Sequence, residues 1–481
     1  MRQGEQLTGA AIRVGLGRLA RGWASAAAIA FVATISLASL LTVQPASAVP
    51  SFARQTGQPC ANCHTAFPEL TPFGRRFKLS GYTLPGGSPT LPPIAALLQQ
   101  GFTHTQSAQD GPPAPGTRVN DNFVTQQITG FYAGQVYGNL GAFIQVTGDP
   151  VGGTVNLDQS DVRYVDSFKL FGADAYWGID VNNSPGVQDV WNTTPAFSFP
   201  QISSSLAAFS PPSTRIEGGF GLTAIQGAGA YVFWNDMLYA ELTAYSGVSK
   251  TVEEALGDQP NSTEDRLSGA APYWRLALEP HWGDNYLMIG TFGMHGQIVP
   301  QGSFGFGYDD YTDIGFDSQY QYDGSQYSVT VKLTNIMEYQ KLNSSALQGF
   351  SSNSNDRLNS FKANASFVWD HTYSFTGGYF NVSGTKDCNL YGVNCGVSPG
   401  GLSNSPNGNG LIFDAAYLPF SHGSSWPYST YNARIGIQYT KYLELYGGTN
   451  NFDGQIGTPG AGGTHNAAGN NTLFLYAWLM F

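Results

Sequence analysis

From about residue 94 the chain alternates with a period of two. Tyr327, Val329, Val331 and Leu333 are interleaved with Ser328, Thr330, Lys332 and Thr334. Phe361, Ala363, Ala365, Phe367 and Trp369 are interleaved with Ser360, Lys362, Asn364 and Ser366. Tyr431, Ala433, Ile435, Ile437 and Tyr439 alternate with Asn432, Arg434, Gly436, Gln438 and Thr440. One apolar and one polar face sustained for roughly ten residues predicts strands long enough to cross an outer membrane; a soluble sandwich gives the same alternation in shorter strands. Tight turns at Gly138-Asn139, Asn235-Asp236, Gly283-Asp284-Asn285, Asp323-Gly324-Ser325 and Asp370-His371-Thr372 take turns with long connections near 107–121, 183–214, 248–268, 298–310, 340–356, 384–409 and 450–470. About 17 candidate strands become about 16, an even number, when 431–440 and 442–447 are read as one strand. The last segment, Asn471–Phe481, alternates poorly, because Phe474, Tyr476 and Trp478 stand opposite Leu473, Leu475 and Leu479.

Composition sharpens this picture. Charged residues are only 11% of the chain, against about 25% in an ordinary soluble domain, and aromatics reach 14%. After residue 48 no apolar run is long enough for a spanning helix. The predicted fold is therefore all-β: a transmembrane outer-membrane barrel of about 16 strands over residues 94–481, in contact with outer-membrane lipid. The formal net charge of −11, near −14 without residues 1–48, argues against a nucleic-acid partner.

Residues 1–48 read as an export signal that is cleaved. Arg2, Arg13, Arg18 and Arg21 precede an apolar stretch from Ala26 to Val43, and Ala46-Ser47-Ala48 is an A-x-A site. Export suits disulfide formation. Cys388 and Cys395 sit in CNLYGVNC with no third ligand nearby, so a staple closing a small outer loop is expected there rather than a metal site.

The remaining cysteines form Cys60-x-x-Cys63-His64, the attachment pattern of a c-type haem. Two thiols at this spacing add to the vinyl groups of one porphyrin, and the histidine becomes the proximal iron ligand. A dithiol redox pair would need a βαβ context, and a zinc site two further close ligands; the surrounding sequence offers neither. Residues 49–93 thus read as a segment for one covalently bound haem c plus a linker. A segment this short cannot bury a core of its own, so it must lean on the barrel. Phe52, Phe67, Leu70, Phe73 and Phe77 are placed to pack on the haem. Arg75, Arg76 and Lys78 can pair with its propionates or simply face water. The segment has no methionine and no second histidine. His104 is the nearest candidate distal ligand, and His295 is another, since parity with Thr291 and Gln297 sets it on the lumen side and Met294 on the lipid side.

The run SFARQTGQPCANCHTAFPELTPFGRRFKLSGYTL resembles the haem segment of the fused monohaem cytochrome–porins known from outer membranes of iron-oxidising bacteria and their relatives. The resemblance extends to Tyr417-Leu-Pro-Phe420, Ile437-Gln-Tyr-Thr440 and Asn471-Thr-Leu-Phe-Leu-Tyr-Ala-Trp478, near the end of the chain; the middle matches only in style. It implies a 16-stranded barrel plugged or capped by the cytochrome segment, with Cys60, Cys63 and His64 as haem ligands. It also implies an iron-oxidase type of electron transfer, in which extracellular Fe(II) is oxidised and the electron passes to a periplasmic acceptor such as a cytochrome c or a copper protein. Loop acids Asp309, Asp310, Asp313, Glu253 and Glu254 are oxygen donors of the kind Fe(II) accepts, although loop acids are usually just solvated. Two other functions share the architecture: a general extracellular electron conduit with another donor or acceptor, and a passive diffusion porin whose haem segment is structural.

Overall fold

The computed structural model describes residues 50–87, 91–194, 204–218, 225–255, 264–422, 431–458 and 461–481; the expected export signal lies outside them. The strands form one antiparallel sheet of 18 hydrogen-bonded segments. Three of these segments, Arg266–Ser268, Ala270–Leu278 and His281–Trp282, lie end to end along the same neighbour. They make one interrupted strand, so 16 strands build the wall. In chain order these are β1 (Ile94–Thr105), β2 (Asn122–Tyr137), β3 (Leu140–Asp149), β4 (Thr154–Leu170), β5 (Ala173–Asn182), β6 (Ile225–Trp234), β7 (Leu238–Gly247) and the interrupted β8. There follow β9 (Asn285–Val299), β10 (Asp309–Asp323), β11 (Tyr327–Lys341), β12 (Asn355–Trp369), β13 (Tyr373–Gly384), β14 (Gly408–Tyr417), β15 (Asn432–Glu444) and β16 (Thr472–Met480). Pairing of β1 with β16, from Leu97 opposite Met480 to Thr105 opposite Thr472, closes the sheet. Closure leaves no edge, which is what a strand structure needs in lipid, where an unpaired backbone group costs several kcal/mol.

The alternation expected for β11 holds. Tyr327, Val331 and Leu333 are exposed on the outside, while Ser328, Thr330, Lys332 and Thr334 are buried inside. Similar exposed apolar residues, among them Ile179, Leu242, Ile289, Phe413 and Ile437, run round the outer face. At the short-turn end Tyr137, Phe171, Trp282, Trp369, Tyr373 and Tyr417 are exposed as an aromatic girdle. The turns are built for hairpins: Asn235-Asp236 and Asp370-His371 each take positive φ at two consecutive positions. This closed barrel with its lipid-facing belt is an outer-membrane protein. The reading of 431–440 and 442–447 as one strand holds through Glu444, where β15 ends: the strand runs unbroken through Lys441, whose side chain is on the outer face.

Among the described residues two segments enter the lumen. The first, residues 50–87, carries three short helices, α1 (Pro50–Thr56), α2 (Cys60–Cys63) and α3 (Pro72–Leu79). It is tied to the inner wall around much of the circumference. Arg75 pairs with Glu279 at 2.6 Å and Gln321 at 2.8 Å. Lys332 reaches Glu69 at 2.6 Å, and the Tyr82 hydroxyl donates to Asp161 at 2.5 Å. Arg434 donates to the Phe67 carbonyl at 2.6 Å while also holding Asp414 at 2.8 Å. The second segment is the long β5–β6 connection, expected as an outer loop. Its described part instead folds inward: Trp191 is buried with its indole N–H on Glu279, and Arg275 contacts both Asp189 and Asp317.

Inward filling explains the places where parity misleads. On β9, Met288, Phe292 and Met294 face the lumen, and His295 stands on the outer face beside Asp310 and Thr312. This reverses the assignment expected from polarity. The inner face is apolar here because it is covered: Ile216 of the inward loop belongs to the same buried cluster as Phe292, Met294 and Ile298. On β16 the aromatics Phe474, Tyr476 and Trp478 point inward for the same reason, and Leu475 and Leu479 meet lipid.

A buried charge left without its partner costs about 3–5 kcal/mol. Lys332→Met should therefore loosen residues 50–87 and raise the ion current of the barrel in planar bilayers, and adding Glu69→Met should return the current towards the parent value. An unchanged current in the single variant would show that this pair does not hold the segment.

Candidate functional site

The geometry around the Cys-x-x-Cys-His motif is set by a tight loop between α2 and α3. Thr71 caps α3 by accepting from Gly74 N–H at 3.1 Å, and Pro72 follows at the first helical position, where a proline costs nothing. Thr71 N–H in turn donates to the Cys63 carbonyl at 3.0 Å, and its hydroxyl donates to the Asn62 carbonyl. The cap therefore clamps α3 onto α2. Gly74 is required for this approach, because a Cβ there would overlap the Cys63 carbonyl oxygen. Gly81, at φ 71°, ends the helix in the left-handed conformation.

The clamp turns the motif towards a cavity of about 1050 Å³, the part open to solvent included. The lining of this cavity is mostly apolar, as in cavities that take small ligands and cofactors. Cys63 and His64 line one side of it, together with Phe52, Phe67, Leu70 and Phe77. Leu97, Phe131, Phe143, Trp478 and Met480 line it from the barrel wall, and Val187 and Asn192 of the inward loop close over it. The His64 ring sits 5.1 Å from Phe67, which is itself 5.4 Å from Trp478. Phe52 packs on Phe77 and Tyr82 at 5.0 and 5.4 Å.

Burial sets the chemistry of these groups. Desolvation pulls the His64 pKa down, so the imidazole is neutral at pH 7 and keeps a lone pair for a metal. Its Nδ1 is buried without a hydrogen-bond partner. Desolvation pushes both cysteine thiols up, Cys60 the more strongly. Both are free thiols, and Cys60 Sγ lies 3.4 Å from Asn432 Nδ2 on β15. Burial, and then the nearby Arg163 charge, lower the pKa of Lys78, which lines the cavity and donates to the Val187 carbonyl.

The expected site residues divide cleanly. Four of the five apolar side chains assigned to the haem line the cavity; Phe73 is exposed instead. Of the three basic residues only Lys78 reaches it, because Arg75 is taken by Glu279 and Arg76 by Asp236 in the β6–β7 turn. His104 does not reach it. It lies on the outward parity of β1 at the far end of the strand, with Nδ1 2.6 Å from Asp121, and so is displaced as a candidate distal ligand. Asp309 and Asp313 are buried wall residues rather than solvated loop acids: Asp309 accepts from Ser344 and Ser345 N–H, and Asp313 from Ile216 N–H at 2.7 Å. Glu254 is exposed, and the side chain of Glu253 lies outside the described residues. Among the described residues no group of three or more His, Cys, Asp or Glu is arranged to hold a metal ion. Cys388 and Cys395 form a disulfide in the β13–β14 loop, with Cα atoms 5.7 Å apart. Sequence reasoning missed Met480; the inward parity of the β16 aromatics was the signal that would have placed it on the lumen side.

No protein-family model and no curated protein matches the chain. Among solved structures it is similar to the outer-membrane channel DcaP of Acinetobacter baumannii, at 10% identity and a TM-score of 0.43 over 81% of this chain and 96% of that one. It is also similar to an anion-selective porin from Comamonas acidovorans, at 9% identity and 0.42 over 80% and 98%. Salmonella typhi OmpF in complex with daunomycin gives 10% and 0.41 over 81% and 97%.

Because burial raises both thiols, the nucleophilic thiolate is scarce at neutral pH. In barrel refolded without haem, Cys60 and Cys63 should react slowly with an alkylating reagent at pH 8 and faster as the pH rises. Gly74→Ala should open the clamp and speed labelling at pH 8 by tenfold or more, an estimate of about 1–3 kcal/mol for overpacking. Equal rates in parent and variant would show that α2 and α3 are not held together by this contact.

Proposed function

We propose that this protein is an outer-membrane electron-transfer barrel. Residues 49–93 carry one covalent haem c and pass electrons from extracellular Fe(II) to a periplasmic acceptor such as a cytochrome c or a copper protein. The observation that carries the reading is the aromatic cavity in which Cys63 and a neutral, half-buried His64 are presented from within the barrel. The residues fit the group: two unpaired thiols at the attachment spacing, an imidazole with a buried unpartnered nitrogen, and an apolar enclosure. Cys60 and Cys63 would hold the haem and His64 would bind its iron. When bound, the haem supplies one-electron oxidation and reduction. Phe52, Phe67, Phe77 and Trp478 exclude water from the site. Lys78 is the cation facing the cavity, suited to a propionate carboxylate.

A second reading, a passive diffusion porin with a structural segment inside, draws on the barrel fold and on one further observation. On the other side of the inward loop lies a larger chamber of about 1570 Å³, the part open to solvent included, of mixed lining: Glu217, Lys332, Lys362 and Gln438 beside Phe380 and Phe474. It would admit hydrated solutes, but residues 50–87 and the inward loop stand between it and the short-turn end.

Detergent-extracted protein titrated with Fe(II) without air decides between them. Prompt appearance of reduced c-type bands is expected, with loss of the bands in Cys60→Ser/Cys63→Ser while the barrel still shows heat-modifiable migration. Denatured parent protein should then show no free thiol. Haem that is reduced only by a strong reductant would move the function to a general electron conduit. Absence of covalent haem, together with solute flux through the intact protein, would leave a porin.

A further inference from the structure

In the haem reading above His64 would bind the iron from one side, and the lumen wall holds a group suited to bind it from the other. Apart from His64, the side chains lining the cavity that have iron-ligating chemistry are Cys63, Lys78, Tyr82 and Met480. Cys63 is committed to attachment. The Tyr82 hydroxyl donates to Asp161 at 2.5 Å, and the Lys78 ammonium donates to the Val187 carbonyl. Met480 is a buried thioether, so ligation would break no hydrogen bond of its side chain.

Building on the haem reading above, we propose that Met480 Sδ is the second axial ligand of the haem iron. Its position is fixed by closure of the barrel. Met480 is opposite Leu97 of β1 on one side and Asn432 of β15 on the other. Leu97 lines the same cavity, and Asn432 Nδ2 touches Cys60 Sγ. The residue therefore lies one strand spacing from the side chain that contacts the first attachment cysteine, inside a ladder that holds it on both sides. The other methionines of the described residues, Met237, Met288, Met294 and Met337, do not line this cavity. Thioether ligation opposite histidine raises the potential of a haem, which suits an acceptor of electrons from a weak reductant such as Fe(II). It also makes coordination depend on strand assembly, since the ligand reaches the cavity only from the strand that closes the barrel.

The test uses the full-length haem-loaded protein in detergent. The ferric form should show the methionine-sulfur-to-iron charge-transfer band. Met480→Leu, which conserves volume, should abolish that band and lower the reduction potential while the barrel keeps its heat-modifiable migration. Met480→His should restore six-coordination with a bis-histidine paramagnetic resonance signature, and Met288→Leu, at a buried methionine in another cluster, should leave band and potential unchanged. Haem present with no such band in the parent, or with the band intact in Met480→Leu, overturns the assignment alone. A parent preparation without covalent haem overturns the haem reading and this assignment with it.

Discussion

Lys332 lies buried in the wall of β11, and the carboxylate that answers its charge belongs to the segment inside the barrel, not to the wall. The same division recurs round the lumen. Arg75 of the inner segment needs Glu279, Tyr82 meets Asp161, and Arg434 of the wall spends one guanidinium nitrogen on the Phe67 carbonyl. Taking two charges out of water costs several kcal/mol per ion, so such pairs add little net stability; losing one partner is what is expensive. Their effect is to make one placement of residues 50–87 far better than its neighbours. The cavity around His64 inherits that precision, because α2 and α3 cannot shift without breaking pairs on several strands at once.

The wall is readable in the sequence wherever its inner face meets polar partners. On β11 the alternation of Val331 and Leu333 with Lys332 and Thr334 gives both the strand and its orientation. On β9 and β16 the period is present but its polarity is inverted, since an inner face covered by protein can be as apolar as one that faces lipid. Thus Met294 points inward and His295 outward. A period of two fixes which residues share a face and leaves open which face is which. The Cys60-x-x-Cys63-His64 motif was legible because its chemistry is local. What lines the rest of the cavity was not, because Leu97, Phe131, Phe143, Trp478 and Met480 come from both ends of the chain and meet only when β1 pairs with β16. The length of the β5–β6 connection was also visible, but not its inward course, which depends on Asp189 and Trp191 finding Arg275 and Glu279 inside the wall.

Solute permeation and electron transfer make opposite demands on one lumen. A diffusing solute needs a continuous aqueous path, whereas an electron needs a cofactor near both donor and acceptor and is helped by a dry, rigid surround. Here the short-turn half of the lumen is packed with the Phe52, Phe77 and Tyr82 rings and with paired charges, and the larger chamber lies beyond the inward loop. Under the proposed electron-transfer reading, a barrel filled in this way would give up free passage for a fixed site within a membrane about 25 Å thick in its apolar band. For a donor whose oxidised product precipitates, that exchange would have a chemical logic under the proposed reading: the electron would enter and the metal ion stay outside. Under the electron-transfer reading proposed above, the larger chamber would serve as the approach to the site; under the porin reading it would be part of the solute path. Among the described residues, Lys362 and Lys332, which line that chamber, are each paired with a carboxylate, Glu217 and Glu69.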